Sequence, residues 1–374
     1  MEASARNFEC LNYWCEGLSV PSVHTSWYGL ITNRYDNMYR QMREDPRNDD
    51  FRFEKNKCDM YDWYMLNQFR HARIYHRWSA RGEWGTPPVG HEAVMADLIA
   101  NRSGVAYPSY FKACHITQGW AHSTRRVKSY KWLHDNRAML DEWLGRLWGM
   151  HADDWERPWV VAHNAMTDTL GPGMLIQEGF PGSWVSVPPL PGGPDPDADG
   201  AVVELKVYVI WGHAYMASFH TLIILRDGTI EEYTGWRAMI HGHTNSPWLH
   251  WLYTEGHLER AWLLAETAAL TVGIEMARFD FFCRKGDPDA IIANENSISS
   301  AASPIYHHHF DYMSYAWARG HIERWYQPYD SHGKRTYELS HLHPPHPNQA
   351  RLQQKLAEKA DLARRVGLLV NATA

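Results

Sequence analysis

Cysteine is scarce in this 374-residue chain, and the five present (Cys10, Cys15, Cys58, Cys114 and Cys283) are odd in number and widely scattered. No two stand in the CxxC spacing of a zinc or redox site, so neither a metal knuckle nor a disulfide framework is expected. Basic charge is also short. Lys and Arg number 37 against 43 Asp and Glu, a net charge of −6, without the basic excess of a general nucleic-acid binder. No apolar run approaches the ~20 residues that span a bilayer. The start "MEASARNFECLNYWCEGLSV" has neither the basic opening nor the apolar core of a secretory signal. These absences predict a cytoplasmic protein with no membrane and no nucleic acid among its partners.

What is present fits a folded chain. Apolar residues make up 44% and charged residues 21%, a globular rather than a disordered balance. The length accommodates two or three packed subdomains. Nineteen Trp, 20 Tyr and 23 His are many for this length, and suit either aromatic-walled grooves or a lineage bias in composition.

Along the chain, residues 1–100 are mixed and Arg-rich, and "KNKCDMYDWYMLNQFRHARIYHRWSARG" (55–82) has aromatics at helical spacing. "YPSYFKAC" predicts a strand running into the loop "HITQGWAHS"; "RAMLDEWLGRLWGM" predicts an amphipathic helix and "GMLIQEGF" a second strand. The Pro- and Gly-rich stretch 187–200 reads as a loop. After it, residues 201–233 alternate as strand, turn, strand, then Asp227–Gly228 and another strand. "HLERAWLLAETAALTVG" places Leu258, Trp262, Ala265 and Ala269 on one helical face and ends at Gly273, a left-handed cap. A C-terminal amphipathic helix (348–370) carries a stripe of Leu352, Leu356, Leu362 and Val366, to pack on the body or on a second copy in a homodimer. Hairpins followed by a helix and another hairpin predict an α+β, largely antiparallel architecture.

Charges stand in an unexpected place in "EMARFDFFCRKGDPDAIIANENS" (275–297). Strand alternation puts Arg278 and Asp280 on one face, with Ala277, Phe279 and Phe281 on the other. If 275–284 and 290–297 pair around "RKGDPD", Asp280 approaches Glu295, which shares its face with Ser297. Two neighbouring carboxylates repel, and a cation between them relieves it. Oxygen ligands of this kind suit Mg²⁺, and Arg278 beside them can hold a phosphate oxygen. An ordinary solvent-facing Arg–Asp pair is the alternative.

The order of these segments resembles the ATP-grasp superfamily. "ARFDFF" followed by an acidic strand end is similar to the Ala-Arg-Val-Asp-Phe-Phe stretch and Glu-x-Asn of D-alanine ligases. "VELKVYVIWGHA" and "HLERAWLLAETAALTVGIEMARFDFF" resemble the teichuronopeptide-biosynthesis (TupA-like) branch. The likeness covers about residues 55–320. It implies two α+β subdomains gripping a nucleotide, divided as an N-terminal substrate-side region (1–100), a first subdomain (101–183), a second (184–330) and a C-terminal tail (331–374).

Residue by residue, the resemblance implies that Lys112 neutralises the α- and β-phosphates. His115 to Gly119, with the Thr117 hydroxyl, would cover them, and Gln177, Glu178 and Phe180 would form the adenine hinge. Glu204 would meet the ribose or metal region and Lys206 the phosphates. Asp280 and Glu295 would hold Mg²⁺ (or Mn²⁺), with Arg278 stabilising the transferred phosphoryl group. The superfamily places Asn two residues after the metal Glu; here Ser297 stands there, with Asn296 between. Either Ser297 substitutes, or a bulge turns Asn296 inward.

The implied activity is an ATP-dependent carboxylate–amine ligase, releasing ADP and phosphate through an acyl phosphate, with an amino acid, peptide or sugar acid among its substrates. A small-molecule kinase on the same fold and a catalytically degenerate nucleotide-binding protein are the alternatives. The His clusters at 241–243, 306–312 and 341–347 lack zinc-ligand spacing and read as structural or surface groups. The resemblance places 307–309 near the acceptor.

Overall fold

The computed structural model describes residues 27–45, 50–100, 104–116, 123–152, 160–180, 183–184, 201–219, 222–226, 229–234, 237–241, 250–298, 307–322, 357–359 and 361–365. They fall into two units: one comprises residues within 49–66 and 71–180, the other those within 1–48, 67–70 and 181–374.

In chain order the elements begin with α1 (Trp27–Glu44), α2 (Asp50–Lys55), α3 (Lys57–Leu66), β1 (Ile74–Ser79), α4 (His91–Ile99), β2 (Ser109–Ala113) and β3 (Thr124–Val127). Then come α5 (Tyr130–Asp135), α6 (Arg137–Gly149), α7 (Val161–Thr167), β4 (Gly173–Glu178), β5 (Ser183–Trp184), β6 (Ala201–Ile210) and β7 (His213–Phe219). The remainder are β8 (Leu222–Leu225), β9 (Ile230–Thr234), β10 (Arg237–His241), α8 (His250–Thr254), α9 (His257–Val272), β11 (Met276–Arg284), β12 (Asp287–Ser297) and α10 (His307–Ile322).

The unit built from 49–66 and 71–180 has one antiparallel sheet in the order β1-β4-β2-β3. Alternation on β2 sends Phe111 and Ala113 into a core with Met174 and Ile176 of β4, their register partners. Leu140, Trp143, Leu144 and Leu147, at helical spacing on α6, complete it. Tyr110 and Lys112 therefore take the opposite face.

Three expectations are corrected in this unit. The segment 55–82 is not one helix: α3 stops at Leu66, Gln68 turns the chain at φ 64°, and "IYHRWS" becomes β1. The aromatic spacing mimics a helix, but the antiparallel ladder to β4 satisfies the backbone and buries Trp78. Next, Cys58 and Cys114 form a disulfide between the start of α3 and the residue after β2, with Cα atoms 5.4 Å apart. Their separation of 56 residues leaves no local signal of that pairing.

The third concerns His115, expected over a bound phosphate. It is fully buried. Its Nε2–H donates to the Leu147 carbonyl at 3.1 Å, and its Nδ1 accepts from the Gly173 amide at 3.3 Å. Burial lowers its pKa against the opposing pull of these bonds, down to about 4. A neutral imidazole bonded at both nitrogens is a structural pin, and no ring nitrogen is left for a ligand.

The other unit centres on a larger sheet in the order β10-β9-β8-β7-β6-β11-β12, antiparallel throughout except where β5 joins β6. The expected three strands of 201–233 are four, because 213–225 divides into β7 and β8. The Asp227–Gly228 turn lies outside the described residues, as do Gly242, His243 and the cluster at 341–347. Helix α9 packs on β6, β11 and β12 and ends at Gly273, φ 75°. Leu258, Trp262, Ala265 and Ala269 are buried, as the periodicity predicts.

His307–His309 open helix α10, not a loop or strand, and the His309 ring accepts or donates at 3.1 Å to the Tyr215 hydroxyl. Near the C-terminus, Ala363 is buried and Leu362 is 43% exposed; Leu352, Leu356 and Val366 of the expected stripe lie outside the described residues. Lys359 pairs with the buried Glu266 of α9, which fixes this stretch on its own unit. Among the described residues no helix is long and apolar enough to cross a membrane.

Two contacts position the start of β11. Arg34 of α1 reaches Glu275 at 2.6 Å and the Met276 carbonyl at 2.8 Å, both side chains being buried. The Trp317 indole of α10 donates to the same carboxylate at 3.0 Å, and Arg34 lies 4.4 Å over its ring. Beside them, Trp211–Gly212 turns β6 into β7, both residues having positive φ. The Trp211 amide donates to the Glu275 carbonyl and its indole to carbonyls of α10. Gly320 of α10 lies so near this indole that a Cβ there would be 2.0 Å from the ring.

Two measurements check this account. Arg34→Met leaves the Glu275 carboxylate buried without its cation and is expected to lower stability by roughly 3–5 kcal/mol in urea denaturation. Arg34→Met with Glu275→Met should recover part of that loss; a double variant as unstable as the sum of the single ones refutes the pairing. For His115, the folded state resists a proton that the unfolded chain accepts near pH 6.5. Its contribution is complete above that pH and is lost as pH falls from 6.5 to 4, by an amount on the order of 3 kcal/mol. His71, His76 and His257, also lowered by burial, add to the wild-type slope. The readout is therefore a difference: His115→Gln should flatten stability against pH over this interval, and equal slopes would refute it.

Candidate functional site

The last three strands in the order of the larger sheet, β6, β11 and β12, carry the charged residues. Register pairs Asp280 with Lys206 on β6 and with Glu295 on β12. Arg278 is paired in the same way with Tyr208 and Ser297, and Phe282 with Glu204. Directly opposed residues share a face, so Glu204, Lys206, Arg278, Asp280, Glu295 and Ser297 line one side. Asn296 is opposite Phe279, on the other side. Of the two alternatives, the register puts Ser297, not Asn296, on the side of Glu295.

The Asp280 carboxylate is wholly buried (0% exposed) and accepts three charge-assisted bonds. Arg278 donates through Nε to Oδ1 at 2.8 Å and through a terminal nitrogen to Oδ2 at 2.9 Å; Lys206 Nζ reaches Oδ2 at 2.8 Å. Burial alone would raise the Asp280 pKa. The two cations outweigh it and hold the carboxyl below the usual range. The same attraction overcomes the opposing effect of burial on Lys206 and raises its pKa, with Glu204 (3.4 Å) contributing. Arg278 is likewise driven to stay charged. The Lys206 side chain is 34% exposed, against 0% for Asp280.

A carboxylate buried under two cations explains why this sheet tolerates charge. It also leaves Glu295 as a second, half-buried carboxylate directly across the strand pair. The turn between these strands is tighter than expected: Lys285–Gly286 joins them, with Arg284 opposite Asp287. Among the described residues no group of three His, Cys, Asp or Glu forms a complete metal cage. A cation at Asp280 and Glu295 would need water or a ligand's oxygens to fill its shell, as Mg²⁺ commonly does.

In the smaller unit, Lys112 is buried with its ammonium 6.0 Å from the Tyr61 ring. Gln177 is buried opposite Tyr110, on the Lys112 face, and its Oε1 has no hydrogen-bond partner. Glu178 is exposed; its amide donates to the Arg73 carbonyl and the next amide, of Gly179, to the Pro108 carbonyl. Phe180 is half-buried and is the last residue of this unit. Thr117 and the rest of 117–119 lie outside the described residues.

Two residues escape the sequence reading. Lys57 belongs to a run, Glu54–Lys55–Asn56–Lys57, that is buried throughout. Its ammonium donates to the Ile116 carbonyl at 2.6 Å and its amide to the Cys114 carbonyl at 2.9 Å, at the root of the segment 117–122. Four consecutive polar residues give no hint of burial, although a charged run ending at an apolar helix start is a place to look. The second is Asn294. The register jumps from Asp280–Glu295 to Phe281–Ala293, so Asn294 is the extra residue of a β-bulge. Its amide donates to Glu204 at 2.6 Å.

No protein-family model matches the chain, and no curated protein matches it. Among solved structures it is similar to D-cycloserine synthetase DcsG, at 13% identity over 73% of this chain and 71% of that one, TM-score 0.36. It is also similar to an L-amino acid ligase from Bacillus licheniformis, at 11% identity over 70% and 46% of the two chains, TM-score 0.36. A third is the D-alanine–D-alanine ligase from Coxiella burnetii, at 11% over 72% and 59%, TM-score 0.35. The chain spans less than two thirds of the length of the last two.

Proposed function

We propose that the chain is an ATP-dependent carboxylate–amine ligase of the ATP-grasp type. The observation that carries this reading is the register of β6, β11 and β12, which assembles three carboxylates (Glu204, Asp280, Glu295) and two cations (Lys206, Arg278) on one face. The residue order that resembles the superfamily supplies the rest of the argument.

The donor set suits a hard divalent cation. Asp280 and Glu295 offer carboxylate oxygens and Ser297, on their face, a hydroxyl, all preferred by Mg²⁺ or Mn²⁺. These residues would hold the ion, whose role is to neutralise phosphate charge. Lys206 and Arg278 already bind one anionic oxygen pair, and a phosphate oxygen is an acceptor of the same kind. In this reading Lys206 turns its ammonium from Asp280 to the nucleotide phosphates, and Arg278 steadies charge on the phosphoryl group in transfer. Glu204 stands beside Lys206 toward the ribose or metal. Lys112 is assigned to the phosphates, and the backbone from Gln177 through Glu178 to Phe180 to adenine.

The chemistry that uses these groups needs no protein nucleophile. A substrate carboxylate takes the γ-phosphoryl group to give an acyl phosphate and ADP; an amine then attacks the acyl carbon and expels phosphate. Amino acids, peptides and sugar acids are the substrate classes to survey.

ADP and phosphate should appear only when an acid and an amine are both supplied, and hydroxylamine should trap the activated acid as a hydroxamate. Asp280→Asn and Glu295→Gln should each slow ADP release by on the order of 100-fold while circular dichroism shows a folded chain. Full activity in either variant rejects the assignment. Chelation with EDTA should stop ADP release and added Mg²⁺ restore it, with Glu295→Gln needing more Mg²⁺ for half-maximal recovery. An unchanged Mg²⁺ requirement would remove Glu295 from the ion.

A further inference from the structure

Strand alternation forbids two consecutive residues from sharing a face, yet Asn294 and Glu295 both act on the charged side of the sheet. The bulge between Asp280–Glu295 and Phe281–Ala293 makes this possible. Asn294 is buried, and its side chain reaches across β11 to the Glu204 carboxylate at 2.6 Å. The other oxygen of Glu204 faces Lys206 Nζ at 3.4 Å, and that same ammonium lies 2.8 Å from Asp280. A continuous polar chain therefore runs Asn294, Glu204, Lys206, Asp280, Arg278 over three strands.

The distances along it are unequal. Lys206 is held firmly by Asp280 and loosely by Glu204. If Glu204 were free to swing into solvent, the ammonium would have one anchor, Asp280, and would sit wholly on the carboxylate that a ligand must share. With Glu204 pinned, Lys206 has a second anionic neighbour, a carboxylate 24% exposed where Asp280 is 0%.

We propose that Asn294 is a positioning residue for the nucleotide site: it fixes Glu204, and through Glu204 it keeps the Lys206 ammonium available to an anionic ligand. Asn294 touches no reacting atom in this scheme. It deepens the ligase reading and rests on it, since the ligand presented to Lys206 is a nucleotide phosphate. The amide is specifically required. Aspartate at this position has the same shape but no N–H, and would set a second carboxylate against that of Glu204.

The experiment measures Mg·ATP binding by titration calorimetry on the full chain, with melting temperature recorded in parallel. Asn294→Ala is expected to weaken binding roughly tenfold, and the isosteric Asn294→Asp by more. In a Glu204→Ala background, Asn294→Ala should cause no further loss, because the route through Glu204 to Lys206 is gone. A merely structural role would lower the melting temperature and give the same loss in both backgrounds. Wild-type affinity in Asn294→Asp, or equal additional losses with and without Glu204, overturns the positioning role while leaving the ligase reading intact. Failure of the wild-type chain itself to bind Mg·ATP overturns both, and is recognised before any variant is made.

Discussion

A carboxylate with no exposure to water is costly to fold around unless its oxygens are met by donors, and Asp280 is met by three. That requirement restricts the larger sheet. β6 and β11 must lie so that Lys206 is opposite Asp280; a slip of one residue would send Lys206 to the other face and leave the carboxylate half-compensated. The apolar partners follow from the same register. Phe279 and Phe281 are fixed on the opposite face, their rings 6.4 Å apart. The chain buries a charge and a hydrophobic layer with one alignment.

Charge in this unit is organised in linked sets rather than scattered pairs. Upstream of Asp280, Glu275 is tied to Arg34 and Trp317, so the strand enters the sheet already anchored to two helices. On α9, Glu266 accepts from the Ala214 amide and pairs with Arg226 and Lys359, joining β7 to the C-terminal stretch. Each of these buried acids meets more than one donor, as interiors of low polarity require. The set around Asp280 differs in having further carboxylates on the same face, Glu295 across the strand pair and Glu204 beside Lys206. That combination separates groups able to exchange partners from groups that serve packing.

Much of this was legible in the amino-acid order. Period-two alternation in "ARFDFF" and "VELKVYV" placed Arg278, Asp280, Glu204 and Lys206 on their shared face, and the helix before them ended at Gly273 as its pattern indicates. What could not be read has physical causes. A bulge is an insertion in pairing, not in sequence, so nothing in "IANENS" distinguishes Asn294 from Asn296 as the residue turned toward Glu204. The Cys58–Cys114 bond joins positions brought near by folding alone. His115 has the residue type of a ligand contact, but its environment, a buried gap between two backbone groups, is set by α6 and β4. The segment 55–82 has the aromatic spacing of a helix, and that spacing carries no sign of the partner strand that competes for its backbone.

Gly320 limits which residues helix α10 tolerates at its seat. Helix α10 rests on the Trp211 indole at a point where its surface has no side chain, and a methyl group there would overlap the ring. Trp211 is clasped on its other side by the Glu275 backbone, and Trp317, a turn earlier on the helix, grips the Glu275 carboxylate. A bulkier residue at 320 would lift the helix from its seat and slacken that grip together. The strand bearing the charged cluster is therefore trued by an emptiness several residues away, much as a keyway holds a shaft by what has been cut out of it.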